Sequence, residues 1–346
     1  MRIIVRVLLM LAVCMVLPAA GDDEAVLAAL AADQPRDRAI TRGLAYIRSQ
    51  QDERGAVGDK HTTALTAMAI MAHLAAGHPV YDAEHGAWMQ RSLSFVLDRQ
   101  RESGYFGEKD GSRMYGHGIV TLMLAESLGM IGDRVLEERV RSALTRAVAV
   151  TVNAAQVKKS DQHRGGWRYH PGDNNSDLSL SGWQLMSLHA AQQVGIAVPE
   201  EVIANAVDYA KRLTTDDGKV GYQKRGEDKS ALRGLGALCF VVGGESDDDR
   251  VDRIVTRISK DPIRWKGPWF FYRVYYDAVG MSRARPEVWA MYRPQLEAAV
   301  LGNQHADGYW AAPPNDNESK HGRIYSTSMV VLALAVERYV LPAYQR

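Results

Sequence analysis

The sequence predicts an all-α protein, an α/α toroid of six helix hairpins arranged as an inner and an outer ring. Three observations carry that expectation. A Gly-containing loop that runs into an apolar helix recurs along the chain, and such internal repeats signal stacked or closed arrays. Each copy pairs a half-polar helix with one that is apolar almost all round, and a helix apolar on every face is a buried one. The apolar–polar alternation of strands is scarce, while Ala and Leu abound. Half-polar helices outside and apolar helices inside is the packing that satisfies both. Successive helices then alternate in direction, so every outer-to-inner loop falls at one end of the ring.

The first unit places an outer helix over 39–51, with Ile40, Leu44 and Ile47 on one face, a loop over 52–59, and an apolar helix over 62–76 that Gly77 ends. The second uses 89–100, the loop Ser103-Gly104-Tyr105-Phe106-Gly107, and 117–128. The third uses 138–156, a long Gly-aromatic loop over 164–177, and 179–194. The fourth uses 201–213, a loop over 217–222, and 230–242. The fifth uses 250–259, a linker carrying Trp265 and Trp269, and 270–279. The sixth uses 286–302, the loop from Gln304 to Trp310, and 325–339. Pro286 suits a helix start, where its missing N–H costs nothing.

The chain begins with a targeting pattern. Arg2 and Arg6 form a basic stretch, 7–17 is apolar, and Pro18-Ala19-Ala20-Gly21 offers small residues for cleavage. This reads as a secretory signal peptide over 1–21, too short to span a bilayer. Residues 22–37 are acidic and Ala-rich, a linker or short helix, and 38–346 form the toroid. With 1–21 removed, Cys239 is the only cysteine, so stability comes from packing, with Cys239 as a small apolar group. The expected location is the periplasm or cell surface. A formal net charge of +1 leaves no basic footprint for nucleic acid.

The sixth loop gives Gln304, then Asp307-Gly308, then Trp310. Gln50 with Gly55, Gln100 with Gly104, and Gly165-Gly166-Trp167 are looser copies. This pattern resembles the QW-type repeat of squalene cyclases and the repeats of protein prenyltransferase β subunits, within the terpene cyclase superfamily. The resemblance implies a toroid with a central cavity reached from one end. Independently of any family, a loop aromatic stacks on its neighbours and a Gln amide bonds helix-end backbone groups, which knits adjacent pairs together.

The family's chemistry is not written in the same residues. The resemblance implies an Asp-x-Asp-Asp acid, and no such motif is present. It alternatively implies zinc held by Asp and Cys two apart and by His. Asp177-Leu178-Ser179 has the spacing with Ser in place of Cys, and Tyr325-Ser326-Thr327 opens the last inner helix without His. No metal and no cofactor is expected. Asp248-Asp249-Arg250-Val251-Asp252 matches a magnesium motif, but it lies in an inner-to-outer link, where acidic residues favour the helix dipole.

Asp173 and Asp177 are the candidate acids, since proton donation needs a carboxyl raised by burial or by a like charge. The other reading is that Asp177 or Ser176 caps the following helix. Trp167, Tyr169, Trp183, His117, Trp269 and Trp310 are the candidate binding residues. Two functions follow. One is an exported protein whose aromatic cavity binds or transforms an apolar isoprenoid or lipid, with peripheral membrane contact. The other is a noncatalytic toroid that binds an envelope protein or polymer. A carbohydrate-active toroid would instead need paired loop acids about 5–10 Å apart, drawn from Asp59, Glu108, Asp110 and Asp177.

Overall fold

A computed structural model describes residues 34–314 and 316–338. The signal segment 1–21, linker residues 22–33 and the Tyr339 end of the last helix lie outside the described residues. The described residues form twelve α-helices and three 3₁₀ turns, with no strand among them. The helices are α1 (Pro35–Ser49), α2 (Thr62–Ala75), α3 (Gly86–Leu97), α4 (Arg113–Ser127), α5 (Arg134–Ala155) and α6 (Leu178–Gln193). There follow α7 (Glu200–Leu213), α8 (Arg233–Val242), α9 (Asp249–Lys260), α10 (Phe270–Ala284), α11 (Pro286–Leu301) and α12 (Gly322–Leu334).

The even-numbered helices form a closed inner ring: each packs on the next, and α12 packs on α2. The odd-numbered helices lie outside, and α11 meets α1. Burial follows the sequence pattern. Every residue of α10 is buried, as are Thr63 to Ala75 of α2. The outer helix α7 buries one stripe, Val202, Ala206, Val207, Tyr209, Ala210 and Leu213. No described helix is long and apolar enough to cross a membrane.

A backbone device repeats at five of the six outer seams. Gly308 has φ +96°, and a Cβ there would lie 2.3 Å from the Arg42 carbonyl oxygen on α1. Gly104 has φ +91° and would meet the Arg146 carbonyl of α5 at 2.4 Å. Only glycine combines that φ with that approach. Gly55, Gly165 and Gly218 stand in the same way against α3, α7 and α9. The loop glutamines work beside them. Gln100 Nε2 donates to the Gly104 and Ala143 carbonyls at 3.0 and 2.8 Å. Gln304 Nε2 donates to those of Gly308 and Ala39 at 2.8 and 2.9 Å, which ties the sixth unit to the first.

Several boundaries differ from the sequence expectation, α4 starting at Arg113 instead of 117 and α5 at Arg134 instead of 138, and two of the differences have a clear physical cause. The first helix starts at Pro35, so residues 35–37 belong to the ring; proline suits a first helical turn. The fifth inner helix runs through Gly280 to Ala284 instead of stopping at 279. Gly280 is a contact rather than a stop: a Cβ there would lie 2.1 Å from the Gly234 carbonyl of α8.

Candidate functional site

The loop end of the ring gathers the chemistry. Inner helices α4, α6, α10 and α12 carry Tyr115, Ser179, Tyr272 and Tyr325 in their first turns. The Tyr115 hydroxyl and Ser179 Oγ share a hydrogen bond of 2.8 Å. Ser179 Oγ donates to the Tyr272 hydroxyl at 2.9 Å, bridging α6 to α10. The Tyr325 hydroxyl donates to Glu318 Oε1 at 2.9 Å. Tyr115, Tyr169, Tyr222 and Tyr325 stay half-buried, so solvent reaches their rings. Burial holds the Tyr115, Tyr272 and Tyr325 phenols well above the usual range, so they act as neutral hydroxyls.

Two buried carboxylates flank these phenols. Asp177 is fully buried and caps α6, its Oδ1 accepting from Leu180 N at 2.8 Å. Its Oδ2 is paired with Arg168, which also donates to the Tyr222 hydroxyl at 2.8 Å. Burial pushes the Asp177 pKa up, against the Leu180 N–H and Arg168. Glu318, which nothing in the sequence singled out, caps α10. Its Oε2 accepts from Phe271 N and its Oε1 from Tyr272 N, each at 3.0 Å. Burial raises it too, against the same N–H donors. Asp177 and Glu318 precede α6 and α12, which stand on opposite sides of a six-membered ring.

The rim is strained. His61, Arg113 and Trp269, at the starts of α2, α4 and α10, have φ of +49°, +59° and +53°. Each left-handed side-chain residue costs about 1–2 kcal/mol, and such outliers cluster at ligand clamps. The Arg113 guanidinium sits 5.8 Å from the Tyr169 ring centroid, and Arg168 sits 4.3 Å over the same ring.

The structure separates the sequence candidates. Tyr169 joins the mouth, 6.1 Å from Tyr115 between ring centroids. Asp173 closes the turn before it, Oδ2 accepting from His170 N at 2.9 Å. Trp269 stands on the rim, 41% exposed. Trp183 lies deeper, parallel to Tyr275 at 5.8 Å and edge-on to Tyr276 at 5.7 Å. All three are buried. The expected aromatic cavity is therefore occupied at that depth by its own rings, because α10 presses so closely on α8 at Gly234 and Gly280 that its tyrosines reach α6.

Trp167 and Trp310 bond outer helices, through Nε1 to the Thr151 carbonyl at 3.0 Å and the Val300 carbonyl at 2.8 Å. His117 occupies a repeat position. The loop N–H of Val57, Trp167 and Trp310 donates to Thr66, Ser181 and Thr327 on the inner helices. In the second unit the Phe106 N–H approaches His117 Nδ1 at 3.4 Å. His117 Nε2 lies 3.1 Å from the Ala147 carbonyl, and burial lowers its pKa to about 4.

Three other acids are held by local partners. Asp110 caps α2 through Thr63 N and Ala64 N at 3.0 and 3.2 Å. Glu108 pairs with Arg101. Asp248 caps α9, accepting from Arg250 N at 2.9 Å, so the magnesium-like motif is a helix start. Off the ring axis, a cleft of about 390 Å³ is lined by Asp59, Lys60, His61, Arg99 and Lys109 among others.

No family model matches the sequence, and no curated protein matches it. Solved structures match over most of the chain. The type II terpene cyclase MstE from Scytonema, without ligand, is 14% identical with a TM-score of 0.56, over 89% of this chain and 99% of that one. A variant of it in complex with geranylgeranyl dihydroxybenzoate, its substrate, is 13% identical with a TM-score of 0.55, over 90% and 97%. An inactive variant of the α-1,6-mannanase GH76A of Salegentibacter sp. HEL1_6, in complex with α-1,6-mannotriose, is 12% identical with a TM-score of 0.61, over 88% and 99%. At these identities the likeness carries the fold alone: the chain is an α/α toroid, an architecture shared by a terpene cyclase and a glycosidase.

Proposed function

We propose that this protein is a small-molecule-binding toroid that seats its ligand at the loop-end mouth, working in the cell envelope after export. One observation supports this above the rest. Half-accessible phenols converge on the ring axis beside two arginines, while both buried carboxylates there already have donors on each oxygen. Phenol rings offer apolar faces and their hydroxyls offer hydrogen bonds. Such a mouth suits a ligand with an apolar body and a few hydroxyl or anionic groups. Asp177 acts as a fixed anion that holds Arg168 against Tyr169 and Tyr222. A prenylated aromatic combines those features, and an oligosaccharide of an envelope polymer is the competing class.

Calorimetric titration with geranylgeranyl dihydroxybenzoate and with α-1,6-mannotriose as probes tests this. Saturable binding of one probe, weakened about tenfold or more by Arg168→Ala and by Tyr169→Ala, supports the reading. No saturable binding of either probe, or binding unaffected by both substitutions, contradicts it.

Catalysis is the second reading, favoured by the raised pKa values of Asp177 and Glu318. It requires one of these groups to release its donors and give up a proton. Product analysis after incubation with the prenyl probe distinguishes the two. Turnover that Asp177→Asn or Glu318→Gln abolishes supports catalysis, whereas unchanged probe supports binding alone.

A further inference from the structure

The link between α2 and α3, at the end of the ring away from the mouth, carries His78, Asp82 and His85. Their ligating atoms all lie within 4.8 Å of one another. We propose that these three side chains form a site for a zinc-class divalent cation that clamps the first hairpins together. Two imidazoles and one carboxylate are a donor set that zinc takes readily and magnesium does not.

The geometry is close to assembled. His78 Nδ1 and Asp82 Oδ2 are 3.2 Å apart. Two ligands on a tetrahedron with bonds of roughly 2.0–2.1 Å stand about 3.3 Å apart, so an ion fits in place of the proton these atoms now share. The His78 and His85 rings lie 4.0 Å apart between centroids. Asp82 is held in place, its Oδ1 accepting from Glu84 N and His85 N at 2.8 Å each. Those bonds use the oxygen that faces the backbone and leave Oδ2 for the ion. An outer shell that orients the ligands in this way is what metal sites require.

An independent observation points to the same place. His73, fully buried on α2, bonds the Ala69 carbonyl through Nδ1 at 2.8 Å, while its Nε2 has no hydrogen-bond partner. Its ring lies 5.3 Å from that of His85. Buried polar atoms are nearly always satisfied, and an imidazole whose Nδ1 is bonded to a backbone carbonyl is the usual form of a metal-ligating histidine. His73 thus places a third imidazole beside the cluster.

The surrounding charge also suits a cation. Arg48 spans Glu84 and His85 Nδ1 at 2.8 and 3.1 Å. With neutral imidazoles, Asp82 and Glu84 outweigh Arg48 and leave the group net negative. If the ion takes Nδ1 of His85, Arg48 keeps its bond to Glu84. The site joins the end of α1 to α2 and to the start of α3, so occupancy should stabilise the ring without touching the mouth.

The test is calorimetry and thermal denaturation of the purified, chelator-treated protein with zinc sulfate. The expected result is one zinc per chain, a raised midpoint of unfolding, and no competition from excess magnesium. Affinity should fall about 100-fold or more in His78→Ala and in Asp82→Asn, the second of which keeps the Oδ1 acceptor and the local fold. His305→Ala, elsewhere on the surface, should leave binding unchanged. Absence of saturable zinc binding, or full affinity in both His78→Ala and Asp82→Asn, overturns the proposal.

Discussion

At the residue scale, the same residue type does different work in different units, and position in the repeat decides which. Gly77 and Gly308 have nearly equal φ, +94° and +96°, but a Cβ on Gly77 meets nothing within 4 Å while one on Gly308 meets the Arg42 carbonyl at 2.3 Å. Gly77→Ala should therefore cost about 1 kcal/mol of backbone strain, and Gly308→Ala about 3 kcal/mol or more, because a helix backbone must also retreat. Urea denaturation of the two variants checks the difference, and equal losses would contradict the seam. His117 stands where Thr66, Ser181 and Thr327 stand in other units. His117→Ala should lose about 1–3 kcal/mol of stability through a cavity and unpaired backbone groups, and should leave probe affinity at the mouth unchanged. Much of this was hidden in the sequence. Gln304, Gly308 and Trp310 announced the repeat, but a tryptophan bonded to an outer helix and one facing the ring have the same one-letter code. Glu318 escaped notice because nothing in Asp316-Asn317-Glu318 marks it as the cap of a helix in the preceding unit. The legible signal was the tyrosine at the start of three inner helices, Tyr115, Tyr272 and Tyr325.

At the scale of elements, apolar periodicity placed all twelve helices, and most boundaries fell within a few residues. It failed where a glycine serves contact instead of termination, as Gly280 does between α8 and α10. That tight contact has an electrostatic companion on the outer side of α10. Arg273 Nε donates to Asp277 Oδ2 at 3.0 Å, the Tyr292 hydroxyl lies 3.4 Å from the same oxygen, and Oδ1 is buried with no partner. Burial lifts Asp277 to about 6, against the pull of Arg273. A carboxyl raised on folding holds its proton more tightly in the native state. Its contribution is therefore most favourable below the unfolded value near 4 and is lost as pH rises through about 6. The loss amounts to about 3 kcal/mol at most, since a tenfold change in proton affinity is worth roughly 1.4 kcal/mol. Asp277→Asn should remove this descending limb from the pH profile of unfolding free energy. Identical limbs in both proteins would refute the assignment.

At the scale of the whole molecule, closure distinguishes a ring from an open solenoid. The last and first units meet at Glu337, which accepts from Arg36 at 2.9 Å, Arg293 at 2.5 Å and the Trp289 indole at 2.8 Å. A network of this kind outweighs isolated surface pairs. Glu337→Gln should cost about 1–2 kcal/mol and should raise hydrogen exchange in α1 and α12 together. Faster exchange in α12 alone would mean that the seam does not couple the two ends. Closure also explains why the fold was more readable than the candidate site. Six repeats in register fix a ring, but the candidate mouth is assembled from first turns and loops of units far apart in sequence, where a single Glu carries no periodic mark. The most direct measurement of that mouth is a crystallographic fragment screen of the purified protein. Bound fragments should concentrate against Tyr115, Tyr169, Tyr222 and Tyr325 at the loop end. Fragments scattered over the outer helices, or gathered in the off-axis cleft beside Lys60 and Arg99 with none on the tyrosines, would contradict the assignment of the mouth as the ligand site.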